Sequence, residues 1–311
     1  MRRSPELTSG QTTGTGKAGV GEPAAGLRAT VTPAVGDDVP RSVTRIRPGS
    51  TWGSTVGEAW RHRELLYFLV WRDLKARYRQ TIVGAAWAVV QPLTLMLVFS
   101  LFVGIVLHVP SDGVPYPVFA FAGLLPWNFF SQSILRGSES LVGQTNLVSK
   151  VYVPRLILPV AATGSFLLDF LISFVVLGGM MLYYGLAPSA EILWLPVVIL
   201  LLLGTTIAVG TFLAALNVKY RDVRAAVPVL TQVWFFATPV AYPASLVPEK
   251  WRLLYDLNPM VGAVDGFRWA LLPTDTAPLT SMAIAAAVVP LLLLLSLAYF
   301  RRVDRTFADI I

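Results

Sequence analysis

The residue whose type and place most invite chemistry is Asp169, a carboxylate inside the apolar stretch Leu156–Tyr184. A carboxyl in hydrocarbon is expensive, so it must face other helices or a wet cavity, or take up a proton. No Lys or Arg in the sequence falls at a matching depth to pair with it. A proton relay needs a chain of such groups, whereas Asp169 stands alone. The sequence therefore predicts a structural interhelical hydrogen bond, with Gln91 and Gln232 as further bundle-facing polar groups. Other reactive patterns are weaker. Gly14, Gly16 and Lys17 resemble part of a phosphate-binding loop, but the first glycine is misplaced and Ala18 stands where Ser or Thr would hold magnesium. The absence of cysteine excludes a disulfide framework and a thiolate metal site. His62 and His108 lie too far apart to read as a metal pair. Asp112, Glu191, Glu249, Asp256, Asp265 and Asp275 make no spaced carboxylate pair at the end of an apolar stretch. The constellation that a membrane glycosyltransferase or acyltransferase needs is missing. No catalytic, cofactor-binding or metal residue is assigned.

The elements that carry these groups are membrane helices. Only 14% of the 311 residues are charged and 55% are hydrophobic, against about 25% charged in a soluble domain. Residues 1–50 are rich in Gly, Pro, Thr and Ala and cannot bury enough surface to offset their ordering entropy. They read as a disordered cytoplasmic tail without the apolar centre of a signal peptide. Residues 51–311 read as one membrane domain. A crossing helix needs about 20 apolar residues. Ile82–Leu107, Pro117–Leu135, Leu156–Tyr184, Ile192–Leu216 and Leu279–Phe300 meet or approach that length. Val227–Tyr242 is shorter and carries Pro228 and Pro239.

Charge decides whether that last stretch crosses, because Lys and Arg accumulate on the cytoplasmic side. Basic residues crowd before the first span, between the second and third, between the fourth and fifth, and after the last. The intervening connections His108–Tyr116 and Gly185–Glu191 have none. The alternation works only with six spans, and it puts both termini in the cytoplasm. The net charge of +7 is then a topology signal, not a nucleic-acid footprint.

Three further segments carry information. Glu58–Gln80 is predicted to be an amphipathic helix in the headgroup layer. Tyr67, Val70, Trp71, Leu74 and Tyr78 would form its apolar side, with Arg72, Lys75 and Arg79 opposite. It is either a passive anchor or a surface for a cytoplasmic partner. The loop Arg136–Arg155 is polar in its first half and admits a short amphipathic helix before Pro154. Pro243–Pro278 is external yet apolar. It is predicted to form two short re-entrant helices broken at Asn258-Pro259, between spans 5 and 6. Aromatic residues cluster at Trp127, Phe129 and Phe130 and again at Trp234, Phe235, Phe236 and Tyr242. An interfacial belt would not favour Phe in this way. A channel on whose rings the apolar faces of a sugar stack would do so.

These features together resemble the membrane-spanning subunit of type-2 ABC exporters, in the branch that exports O-antigen, teichoic acid, capsule or galactan. The resemblance covers residues 51–311. It rests on Leu69-Val70-Trp71-Arg72-Asp73-Leu74-Lys75-Ala76-Arg77-Tyr78, Gly84-Ala85-Ala86-Trp87, Gln91-Pro92 and Gly123-Leu124-Leu125-Pro126-Trp127. Asn146-Leu147-Val148, Pro154-Arg155, Asn217-Val218-Lys219-Tyr220-Arg221-Asp222 and Asn258-Pro259-Met260 follow in order.

The resemblance implies a homodimer in the inner membrane with two copies of a cytosolic ABC ATPase. ATP and Mg would bind in that partner and not in this chain. Trp71, Arg72, Asp73 and Lys75 would couple to it, with Glu139, Gln144, Asn146, Tyr152, Arg155, Arg221 and Asp222. The implied substrate is a polysaccharide on a polyprenyl diphosphate lipid. Arg72, Arg77 and Arg79 could attract its diphosphate, or could be ordinary positive-inside charge. An ABC permease for a drug or small lipid is the alternative within transport. A secondary transporter would be expected to show internal repeats and several intramembrane charges, which the sequence lacks.

Overall fold

The structure is a computed structural model that describes residues 57, 61–79, 86–144, 153–188, 190–274 and 277–310. The expected tail, most of the short helix expected before Pro154, and Asn146 and Tyr152 lie outside the described residues. In hydrocarbon every backbone N–H and C=O must be satisfied inside the protein, which a helix does within its own segment. The described residues are accordingly helical, with no strand among them. Five helices are long and apolar enough to cross a membrane.

Helix α1, Arg63–Arg79, is the predicted amphipathic helix. Its buried stripe is rotated from the expected one. Leu69 is buried, and Leu65, Leu66 and Val70 pack around it against other helices. Tyr67, Phe68 and Trp71 remain exposed. Val70, common to both stripes, packs on Gly164, where a Cβ would lie 2.9 Å from Val70 Cγ2.

The first span is α2, Trp87–Phe99, continued by a π-helical segment Ser100–Val106. Helix α3, Tyr116–Glu139, is the centre of the protein and is buried along nearly its whole length. Ala120, Ala122, Gly123, Ser131, Ser133 and Gly137 give it the small profile that lets neighbouring backbones come near. Where α3 meets the later helix that carries Gly210, a Cβ on Gly137 would lie 3.6 Å from Gly210 Cα.

The third span has two parts, α4 (Ile157–Gly164) and α5 (Leu167–Tyr183), separated by Ser165 and Phe166. A Gly-Ser pair is a common site for such a break. After a short 3₁₀ turn, Ala190–Trp194, the long helix α6 runs from Leu195 to Lys219. Helix α7, Val223–Phe236, has 14 residues. At 1.5 Å per residue it spans about 21 Å, less than the roughly 30 Å hydrocarbon core. It also begins four residues before and ends six residues before the expected Val227–Tyr242, and the chain turns after Phe236.

The two short helices expected on either side of Asn258-Pro259 are present as α8, Glu249–Asp256, and α9, Pro259–Leu271, which form a hairpin. Helix α10, Leu279–Ile310, closes the bundle. The larger core joins α3, α5, α6 and α9 through residues such as Phe121, Phe130, Phe170, Leu202 and Phe267. A second core at the α1 end joins α1, α4, α6 and α10 through Leu69, Ile157, Ala214 and Phe300.

Candidate functional site

The break between α4 and α5 builds the most polar site at the α1 end. An interrupted helix leaves carbonyls without intrahelical donors. Arg77 of α1 meets this need. Its guanidinium approaches the Ser165 carbonyl at 3.4 Å, donates to Ser165 Oγ at 3.0 Å, and lies 3.6 Å from the Phe166 ring centroid. It also pairs with Asp169 at 2.6 Å, and the Tyr78 hydroxyl donates to the other oxygen of that carboxylate. Burial lowers the Arg77 guanidinium below its usual range, and the neighbouring Asp169 partly offsets this. The expectation that Asp169 has no basic partner is therefore corrected. The kink puts Asp169 in the first turn of α5, and α1 packs against the bundle with Arg77 directed at it.

A cleft of about 460 Å³ opens beside this pair, walled by Asp73, Trp87, Gln91, Gln132 and Arg136. Gln91 is exposed and borders the cleft, while Gln232 is exposed on α7; neither is packed inside the protomer as expected.

The other polar ties at this end join elements far apart in the sequence. Arg72 pairs with its neighbour Asp73 at 2.8 Å and donates to Gln144 Oε1 at 2.8 Å, fastening α1 to the chain after α3. Arg224 in α7 donates to Glu139 at 2.7 Å, and Arg155 reaches Asp304 of α10 at 2.7 Å. Asn217 Nδ2 donates to the Ser138 carbonyl at 2.8 Å. Trp71, Lys75, Arg79, Arg221 and Asp222 are exposed. The expected coupling residues that are described thus divide into a tied set and an outward set.

The aromatic residues divide differently. Trp127, Phe129 and Phe130 are buried in the protomer core, so their expected place on an open channel wall is corrected. The face of α3 that carries these rings is covered, and the rings pack on Phe170, Trp234 and Phe235 at centroid separations of 5.0–5.5 Å. Trp234 and Phe235 are half-buried against the same core. Phe236 is 67% exposed. Tyr242 donates to the Phe236 carbonyl at 2.7 Å and receives a hydrogen bond from Tyr255 at 3.1 Å. Trp234 also lines two adjoining apolar grooves of about 650 and 600 Å³ beside α6, α7 and α10.

At the hairpin end, Asn258 caps α9 and ties it to α7. Its Oδ1 accepts from Met260 N at 3.1 Å and Trp234 Nε1 at 3.0 Å. Its Nδ2 donates to the Ala237 carbonyl and to Thr238 Oγ1, both at 3.0 Å.

Arg268 was not among the sequence-predicted site residues, yet it is 3% exposed. It donates to the carbonyls of Phe119 (3.3 Å), Pro239 and Val240, stacks 3.8 Å from the Phe119 ring centroid, and lies 3.6 Å from Asp265. The only sequence signal was an Asp-x-x-Arg spacing within an otherwise apolar helix.

Comparison with known proteins places this arrangement. Residues 64–272 match the family described as ABC-2 type transporter. The chain belongs to this family. The matched region runs from α1 through α9, so the break, the cleft and the α8–α9 pair all lie within it. Among similar proteins is one from Myxococcus xanthus named O-antigen export system permease protein RfbA. It is 37% identical over 244 residues, covering 76% of this chain and 92% of that protein. A Klebsiella pneumoniae protein of the same name is 25% identical over 249 residues, covering 80% and 95%. The Escherichia coli polysialic acid transport protein KpsM is 23% identical over 235 residues, covering 74% and 90%. As an ABC-2 permease the chain is a multi-pass transport subunit and not an enzyme, and the family's ATPase is a separate subunit.

Proposed function

We propose that this ABC-2 permease exports a polysaccharide carried on a polyprenyl diphosphate lipid across the inner membrane for envelope assembly. The observation that carries the reading is the 37% identity over 92% of a protein named as an O-antigen export permease. Two copies of the chain enclose the path, and two cytosolic ATPase subunits, which bind ATP and Mg, supply the work. The α1 end faces the cytoplasm with both termini. Helix α7 completes a sixth crossing. Its shortness is compatible with this because Arg268 and Asn258 satisfy carbonyls of the turns that follow it, and non-helical backbone at membrane depth is tolerated when protein satisfies it. The exposed Trp71, Lys75, Arg221 and Asp222 meet the ATPase. The half-buried and exposed aromatics of α7 contact the glycan.

The test is depletion of the permease in its host, followed by extraction of lipid-linked glycans. A polyprenyl diphosphate polymer should accumulate on the cytoplasmic leaflet. Unchanged glycan pools would overturn the reading. A second reading, export of a small lipid or drug, is favoured by the apolar grooves beside α6, α7 and α10, and a non-glycan lipid accumulating instead would select it.

A further inference from the structure

We propose that Arg136, with Gln91, Gln132 and Asn128, forms the seat for a diphosphate headgroup in the cleft between α1, α2, α3 and α5. The inference rests on the polysaccharide-export reading and identifies where its substrate's charge is held. Charge bookkeeping inside the cleft singles out Arg136. Arg72 is engaged by Asp73, and Arg77 is engaged by Asp169. Arg79 is exposed and is not part of the cleft wall. Arg136, in the last turn of α3, has no carboxylate within ion-pair distance among the described residues. Of the two guanidiniums on the cleft wall, Arg77 is taken up by Asp169, and the wall's other carboxylate, Asp73, is taken up by Arg72 from outside the wall, so Arg136 is left without a carboxylate partner. A guanidinium presents a planar fork of donors that fits two phosphate oxygens at once.

A second observation comes from the floor of the cleft. A narrow extension of about 50 Å³ shares Gln91, Gln132 and Asp169 with the main cleft and reaches Asn128. Asn128 Nδ2 is buried there with no hydrogen-bond partner among the described residues. A buried donor without an acceptor is costly, so an acceptor oxygen belongs in that extension. Gln91 and Gln132 add amide donors on the way in, and the exposed Trp87 forms an apolar wall on which a first sugar could stack. The donors, the unmatched cation and the aromatic wall together match a diphosphate joined to a sugar. They do not match a neutral lipid.

The same phosphate chemistry is carried by inorganic pyrophosphate and by anionic phospholipids, so the test has an arm for each. Full-length permease is placed in phosphatidylcholine nanodiscs and titrated with farnesyl diphosphate, farnesol, inorganic pyrophosphate and phosphatidylglycerol. Farnesyl diphosphate should bind, and R136Q should weaken that binding about tenfold or more, the usual effect of removing a charge-assisted phosphate contact. R136K should lose less, because it keeps the charge without the fork. Farnesol binding should be insensitive to both substitutions. An R136Q titration that superimposes on wild type, in protein with an unchanged elution profile, overturns the seat. So does phosphatidylglycerol competing as well as farnesyl diphosphate, or pyrophosphate competing equally with the wild-type and R136Q proteins. Either failure can occur while depletion still causes glycan to accumulate, which separates it from failure of the export reading.

Discussion

Replacing Arg268 with methionine should destabilise the permease by about 3–5 kcal/mol, the cost of removing one partner from a buried, charged network. Methionine fills much of the volume of the arginine stem but supplies no donor. It leaves the carbonyls of Phe119, Pro239 and Val240 without the guanidinium, and Asp265 without its nearest cation. Each orphaned buried group costs about 1–3 kcal/mol. The damage should centre where α7 ends, because the Pro239 and Val240 carbonyls belong to the turns that follow it. R268K keeps the charge but cannot fork between carbonyls, and it should fall between the two. Gly123→Ala approaches the same seat from α3, since a Cβ there would lie 2.6 Å from the Val240 oxygen and crowd the guanidinium. Equilibrium unfolding in detergent measures the loss. An R268M protein within about 0.5 kcal/mol of wild type, the scatter of neutral surface substitutions, would refute this account.

Asp169 and Arg77 should behave as one unit. Asp169→Ala and Arg77→Ala should each loosen α1 from α5, and the double substitution should cost less than their sum. A coupling of about 1–3 kcal/mol is expected for a contacting, partly buried ion pair that shares a network. The pair is 28% and 22% exposed, so water screens it only in part. Asp169→Asn should be milder than Asp169→Ala, because the amide oxygen still accepts from Tyr78 or Arg77. Transport by the reconstituted complex should fall with the singles and return in part with the charge swap Arg77→Asp and Asp169→Arg. Strict additivity in the cycle would show that the contact carries no coupling.

The legible features of the sequence are those set by hydropathy and by single-residue backbone rules. The five long spans appear within a few residues of their expected bounds, because a run of apolar residues can be solvated only by lipid or core. Asn258-Pro259 marked the hairpin break, because Asn caps and Pro starts a helix.

Features that depend on tertiary approach were hidden. Asp169 looked unpaired because its partner comes from α1, which the pattern had laid flat in the headgroup layer. Nothing local announced that Gly164-Ser165 would break the third span and present a carbonyl to Arg77. The apolar residues of α3 looked like those of any span. Only its small residues, which let other helices surround it, place Trp127, Phe129 and Phe130 in the core. Burial of Arg268 in a helix as short as α9 leaves little trace in composition.

The π-helical stretch Ser100–Val106 has a practical consequence. Each of its turns takes in one residue more than an α-helical turn, as the Leu107 N–H bonding back to the Phe102 carbonyl at 3.0 Å illustrates. A thiol-labelling scan from Trp87 onward, in a chain with no native cysteine to remove, should trace a reactive line that holds its heading to Phe99 and then swings around the rod. Spectroscopic probes placed beyond Ser100 by ordinary helical counting would sit on the wrong azimuth, and distances measured from them would be misassigned to a rotation of the whole segment.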